Sequence, residues 1–155
     1  MSETALLRRV RDEVYTVIAP EYGTEAGRVT YDTEEGLWVC VKQLPVPIAL
    51  TKTGDGLVDV LMLVPKAYPQ VPPDGFYCDA GLRITNHYFM GWRDKYYPEW
   101  QRQLIEGGWQ WFCAHAHNVH NSTWRPTNTA SAGDNLMTYL HLCLGILGLE
   151  GSKRS

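Results

Sequence analysis

Apolar residues recur three and four positions apart near the start of the chain. Leu6, Leu7, Val10, Val14 and Val17 fall on one side, with Arg8, Arg9, Arg11 and Asp12 between them. That spacing predicts an amphipathic helix over residues 3 to 18. Ser2 or Thr4 stands where a cap belongs, and Pro20 and Gly23 stand where the helix should end. The period then falls to two. Four short alternating segments, 28 to 33, 37 to 43, 46 to 52 and 57 to 64, are separated by Glu34-Glu35-Gly36, by Pro45 and Pro47, and by Thr53-Gly54-Asp55-Gly56. These breaks are turn compositions, so the segments predict a four-stranded antiparallel meander.

Residues 65 to 75, PKAYPQVPPDG, lack the amide donors of a central strand and predict an ordered loop wrapped on aromatics. Its prolines suit a polyproline-like path, with Tyr68 packed beneath it and its hydroxyl near solvent or a backbone partner. From 92 to 112 the aromatics Trp92, Tyr96, Tyr97, Trp100, Trp109 and Trp111 follow no period, and no element is assigned, although Trp109 to His117 reads as extended. The helical stripe returns at Leu136, Met137, Leu140, Cys143, Leu144 and Leu147. It predicts a closing helix with Asp134 as N-cap and Gly148 as its stop. Helix, meander, loop, irregular segment and helix make an α+β domain.

At 155 residues and 45% hydrophobic content, the chain suits one domain over residues 1–150, with GSKRS (151–155) as a disordered tail. Its 14 basic and 17 acidic residues, net charge −3, are interspersed, which argues against nucleic acid and membrane surfaces as partners. No window approaches the roughly 20 apolar residues of a membrane span, and the N-terminus lacks the pattern of a leader. A cytoplasmic protein is expected. Four cysteines, at 40, 78, 113 and 143, form no CxxC pair, which suggests reduced thiols. No cofactor is called for.

Cys113 has neighbours suited to thiolate chemistry. His115 shares its face if the segment is extended, His117 follows on that face, and His120 lies near. An imidazole beside sulfur lowers its pKa or takes a proton during discharge. Cys40 sits in strand-like VCV and Cys143 on the helical stripe, both as packing residues. Cys78, in GFYC, ranks second to Cys113. A zinc reading competes. His115-x-His117 followed by Ser131-x-x-Asp134 resembles the ligand pattern of JAB-type deconjugating metallopeptidases, where zinc activates water for isopeptide hydrolysis. The gap to Ser131 is long for that family, and no upstream glutamate is placed as general base. H-x-E with P-C-x-x-C, G-x-S-x-G and phosphate-binding glycine loops are all absent.

Pro65-x-x-Tyr68-Pro69-x-x-Pro72-Pro73, directly after the apolar strand VDVLMLV, resembles the signature loop of ubiquitin-conjugating enzymes. Cys113, then Trp124-Arg125-Pro126 and a closing apolar helix, resemble that superfamily's active-site cysteine, its W-x-P segment and the helix beyond. More narrowly, the W-x-W-F-C-x-H stretch and the D-x-L-x-x-Y-L helix resemble prokaryotic family E, the bacterial conjugating-like proteins found in operons associated with antiphage defence. The resemblance implies a transferase that carries a ubiquitin-like modifier as a thioester on Cys113. It implies Tyr68, Pro69, Pro72, Pro73 and Trp124 as structural motif residues, beside which His115, read from its spacing to Cys113, is the catalytic neighbour expected. Its partners would be the modifier, a ubiquitin-activating-like enzyme and a target protein. The first helix, through Leu7, Arg8 and Arg11, would face the activating enzyme, although an ordinary solvated face is an equal reading of those charges. The superfamily's His-Pro-Asn tripeptide is missing here. Asn86-His87 stands near its place in the count, and the oxyanion role stays open among backbone amides beyond Cys113 and the side chains of His115, Asn118 and Asn121. A non-catalytic scaffold of the same fold remains a third reading.

Overall fold

The computed structural model describes residues 3–23, 27–73, 75–78, 109–113 and 124–152. Helix α1 (Ala5–Glu13) opens on Thr4, whose hydroxyl accepts the Leu7 amide at 3.0 Å. It passes into a π-helical segment (Val14–Ile18) and a short α2 (Ala19–Tyr22). Pro20 is thus inside the helix rather than at its end. In the wider π turn, the Ala19 amide reaches back to the Val14 carbonyl, accommodating a residue that cannot complete the ordinary ladder. The extra residue also moves the apolar stripe on, so Ile18 is buried where Val17 was expected, and Val17 is half-buried. Gly23, at φ 99°, closes the helix.

Five strands follow, β1 (Val29–Tyr31), β2 (Trp38–Pro45), β3 (Leu57–Leu63), β4 (Gly75–Cys78) and β5 (Gln110–Cys113), paired antiparallel in that spatial order. The expected α+β class holds, but the strand expected over 46 to 52 is a 3₁₀ turn (Ile48–Leu50) that buries Leu50. Pro45 and Pro47 bracket Val46 and deny that stretch a ladder, while the Leu50 amide folds back to the Pro47 carbonyl at 2.9 Å. The places in the sheet go instead to GFYC after the proline loop and to QWFC in the stretch left unassigned.

Alternation along the strands gives the sheet two apolar faces. Val39, Val41, Val60, Met62, Phe76, Cys78 and Phe112 share one core with Val10, Val14 and Ile18 of the first helix and with the final helix. On the opposite face a smaller cluster, Cys40, Leu61, Tyr77 and Trp111, runs in register from β2 to β5. Helix α3 (Leu136–Ser152) buries Leu136, Tyr139, Leu140, Cys143 and Leu147. Its cap is Asn135, not Asp134. The Asn135 side chain accepts the Thr138 amide at 3.1 Å while Thr138 Oγ1 accepts the Asn135 amide at 3.2 Å, a reciprocal box. The helix also runs through Gly148 and two residues into the expected tail.

Candidate active site

Strand β5 ends at Cys113, whose backbone pairs with Gly75 at the start of β4. Two aromatic contacts, one stacked and one tilted, support this pairing. Phe76 and Phe112 lie nearly parallel with centroids 5.1 Å apart, and Tyr77 and Trp111 pack at 5.0 Å on the other face. The Trp111 indole lies directly over Gly75, where an added Cβ would stand 1.9 Å from its Cζ2. Only glycine lets this ring, itself 2% exposed, cross the neighbouring strand beside the Cys113 register position. Nothing in the residue pattern of 65 to 75 singled out Gly75, because its partner lies far along the chain.

The proline loop that leads into β4 is held from the helix side. Its path is turned rather than polyproline-like, with the Tyr68 amide bonded to the Pro65 carbonyl and the Val71 amide to the Ala67 carbonyl. Tyr68 is buried, and its hydroxyl meets neither solvent nor backbone. It donates to the Glu13 carboxylate at 2.6 and 2.7 Å. Glu13, with no exposed surface, also accepts Arg9 Nε at 2.6 Å and the Leu136 amide at the start of α3 at 2.6 Å. Arg9 Nη1 then donates to the Thr127 carbonyl at 2.6 Å, and Trp124 Nε1 to the Pro69 carbonyl at 2.6 Å. One carboxylate thereby ties the first helix, the Tyr68-Pro69 turn and the last helix together, with the Trp124 segment latched beside them. Burial pushes the Glu13 carboxyl above its ordinary pKa against the pull of its three donors, and burial beside that carboxylate raises the Tyr68 phenol. Pro72 and Pro73, further along the loop, are also buried. The sequence did carry a signal for Glu13, an acid set on the apolar stripe beside Val10 and Val14.

A family model described as prokaryotic E2 family E matches residues 21–148. The chain belongs to prokaryotic E2 family E. Comparison with curated proteins and with solved structures gives no significant match. Membership in this E2 family fixes a ubiquitin-conjugating-like fold and a conjugating-enzyme-like role, with a ubiquitin-like modifier and other proteins of its pathway as partners. Among the described residues no helix is long and apolar enough to cross a membrane.

Within this E2-like frame the cysteines separate. Cys40, Cys78 and Cys143 are all buried, the first facing the smaller cluster and the other two in the main core. Burial, with Cys78 alongside, raises the Cys143 thiol well above its ordinary value. A thiolate at Cys78 or Cys143, both fully buried, would lack solvation and an open path, and Cys40 is only 6% exposed. Cys113 is placed by its backbone at the end of β5, while His115, His117, His120, Asn118, Asn121, Asn86 and His87 lie outside the described residues. Of the zinc pattern, Ser131 is exposed on a turn and Asp134 is committed to structure, since its Oδ2 accepts the Arg125 amide at 2.7 Å beside the Pro126–Gly133 bridge.

Helix α1 also rearranges the expected partner-facing set. Leu7, expected at that surface, is 7% exposed and packs close to Gly36, because it continues the buried stripe with Val10. Arg9 turns inward to Glu13. Arg11 pairs with Glu3, and Arg8 stays exposed. Tyr15, 63% exposed, stands edge-on to Tyr31 on the same outer side.

Proposed function

We propose that the chain is a conjugating enzyme that receives a ubiquitin-like modifier from an activating enzyme as a thioester on Cys113 and transfers it to a target protein. The observation that carries this reading is the burial of the other three cysteines. It leaves Cys113, at the end of a strand seated beside the signature loop, as the remaining nucleophile. In the first step the Cys113 thiolate attacks the activating enzyme's thioester carbonyl, forming a new C–S bond as the old one breaks and releases a thiolate. The two thioesters are nearly isoenergetic, so thiolate fraction and geometry set the rate. In the second, a target amine attacks the carbonyl, a C–N bond replaces the C–S bond, the amine proton goes to a base such as His115, and Cys113 leaves as thiolate. Arg8 and Arg11, on the outer side of α1, are our candidates for contact with the activating enzyme. Chemistry that needs ATP-driven activation and reduced thiols fits the cytoplasm, and antiphage defence is the setting suggested by the resemblance.

Non-reducing electrophoresis of the protein with ATP, its activating enzyme and the processed modifier tests the reading. Wild type and Cys78→Ala should form a thiol-sensitive adduct, Cys113→Ala none, and Cys113→Ser a thiol-resistant one or none. An adduct that survives Cys113→Ala refutes Cys113 as the carrier. No wild-type adduct despite a charged activating enzyme favours a scaffold role.

A further inference from the structure

We infer that the cavity on the sheet face opposite the helices is a docking site for a short extended peptide bearing a lysine or arginine side chain. The cavity measures about 650 Å³, within the range of sites that enclose ligands of this size. Its floor includes Cys40 and Leu61 of the smaller apolar cluster, and Trp38 and Trp109 flank it. Those tryptophans belong to β2 and to the residue just ahead of β5, three strand spacings apart in the sheet order and, by the pairing register, about four residues apart along the strands, so their backbones stand roughly 20 Å apart. That span fits roughly six extended residues rather than a single small ion.

Charge selects the occupant. The β1–β2 turn brings Asp32, Glu34 and Glu35 to the edge of the cavity. Asp32 is occupied in shaping that turn, its carboxylate accepting the amides of Glu34, Glu35 and Leu37 at 3.1 to 3.2 Å. Glu34 and Glu35 are exposed, and among the described residues no cation is paired with either. A turn locked by one acid thus presents two others at the rim of the cavity that Trp38 also lines. Carboxylates next to an indole face suit an ammonium or guanidinium on an aliphatic stem, whose methylenes lie on the apolar floor. An anionic segment would be repelled, and a neutral one would leave the acidic edge unused. The site is independent of Cys113 chemistry, so its test needs no activating enzyme.

The experiment measures fluorescence anisotropy of labelled Ala-Leu-Lys-Lys-Leu-Ala, its doubly lysine-acetylated form and its Lys-to-Glu counterpart against the full chain. The lysine peptide should bind, acetylation should weaken it by about tenfold or more, and the glutamate peptide should bind no better than the acetylated one. Glu34→Gln combined with Glu35→Gln, both exposed and outside the core, should weaken the lysine peptide to a similar degree at unchanged Tm; Trp38→Ala should weaken it too, with some loss of Tm because its ring packs on the smaller cluster. Equal binding of the lysine and acetylated peptides, insensitivity to the double glutamine variant, or no binding at low-millimolar protein overturns the inference.

Discussion

Replacing Glu13 is the sharpest test of how the signature loop is held. Glu13→Ala leaves two fully buried donors, the Tyr68 hydroxyl and the Leu136 amide, without their acceptor, and frees Arg9 from its ion pair. Each stranded buried donor costs about 1–3 kcal/mol, and the two share one site, so about 3 kcal/mol is expected in total. For a domain of this size that lowers Tm by roughly 6–12 °C. Glu13→Gln behaves differently. Its carbonyl oxygen replaces Oε1, which serves both Tyr68 and Leu136, and it removes a desolvated charge, but it sets an amide N–H against Arg9 Nε–H. These effects oppose, so at neutral pH Gln should lie within about 1 kcal/mol of wild type.

The pH dependence follows from the raised carboxyl. The folded state holds the Glu13 proton to higher pH than the unfolded chain, whose carboxyl titrates near the ordinary value of 4.5. The stability so gained is complete below that value and is lost as pH rises through the folded one. The difference between wild type and the non-titrating Gln variant, from urea unfolding at a series of pH values, should therefore shift against wild type as pH rises from about 4.5. A cost for Ala under about 1 kcal/mol refutes the clamp, and a difference moving toward wild type refutes the raised carboxyl.

Two further perturbations probe the strand that carries Cys113 and the sheet that supports it. Gly75→Ala drives a methyl into the buried Trp111 ring and should cost about 1–3 kcal/mol or more by thermal melting while slowing adduct formation. Combining it with Trp111→Leu should recover part of the loss, and a neutral single variant would contradict the close approach. Gln43, exposed at φ 57° in the β2 bulge between Val41 and Leu44, sits where glycine is easier. Gln43→Gly should add about 1 kcal/mol, or about 2–4 °C in Tm, and a lowered Tm would argue against strain there.

What the sequence disclosed tracks how local each interaction is. The first helix, its Thr4 cap and the stripe of α3 depend on residues within a few positions of one another, and periodicity found them. β1, β2 and β3 were readable for the same reason, with turn residues between them. β4 and β5 are four residues each, too short to show a period, and their pairing depends on stacking across a long stretch of chain. The π segment escaped because a one-residue change of phase looks like a minor irregularity in an apolar stripe. The loop motif located Tyr68 correctly but not its partner, which lies 55 residues earlier.

Distance along the chain also explains why a carboxylate, rather than another apolar side chain, occupies position 13. Apolar contacts hold segments together without fixing their angle or register, whereas an acceptor with several lone-pair sites sets direction for each donor it receives. Glu13 receives one donor from its own helix, one from 55 residues on and one from 123 residues on. It therefore sets the first helix, the signature loop and the start of α3 against one another at a single point. The loop emerges from that point into β4, where Gly75 admits the Trp111 ring and pairs with Cys113. On the proposed role, a carrier that meets an activating enzyme and then a target needs the position of Cys113 fixed for both. The buried carboxylate and the glycine are successive supports of that strand position, one fixing the loop and the other seating β5 against β4.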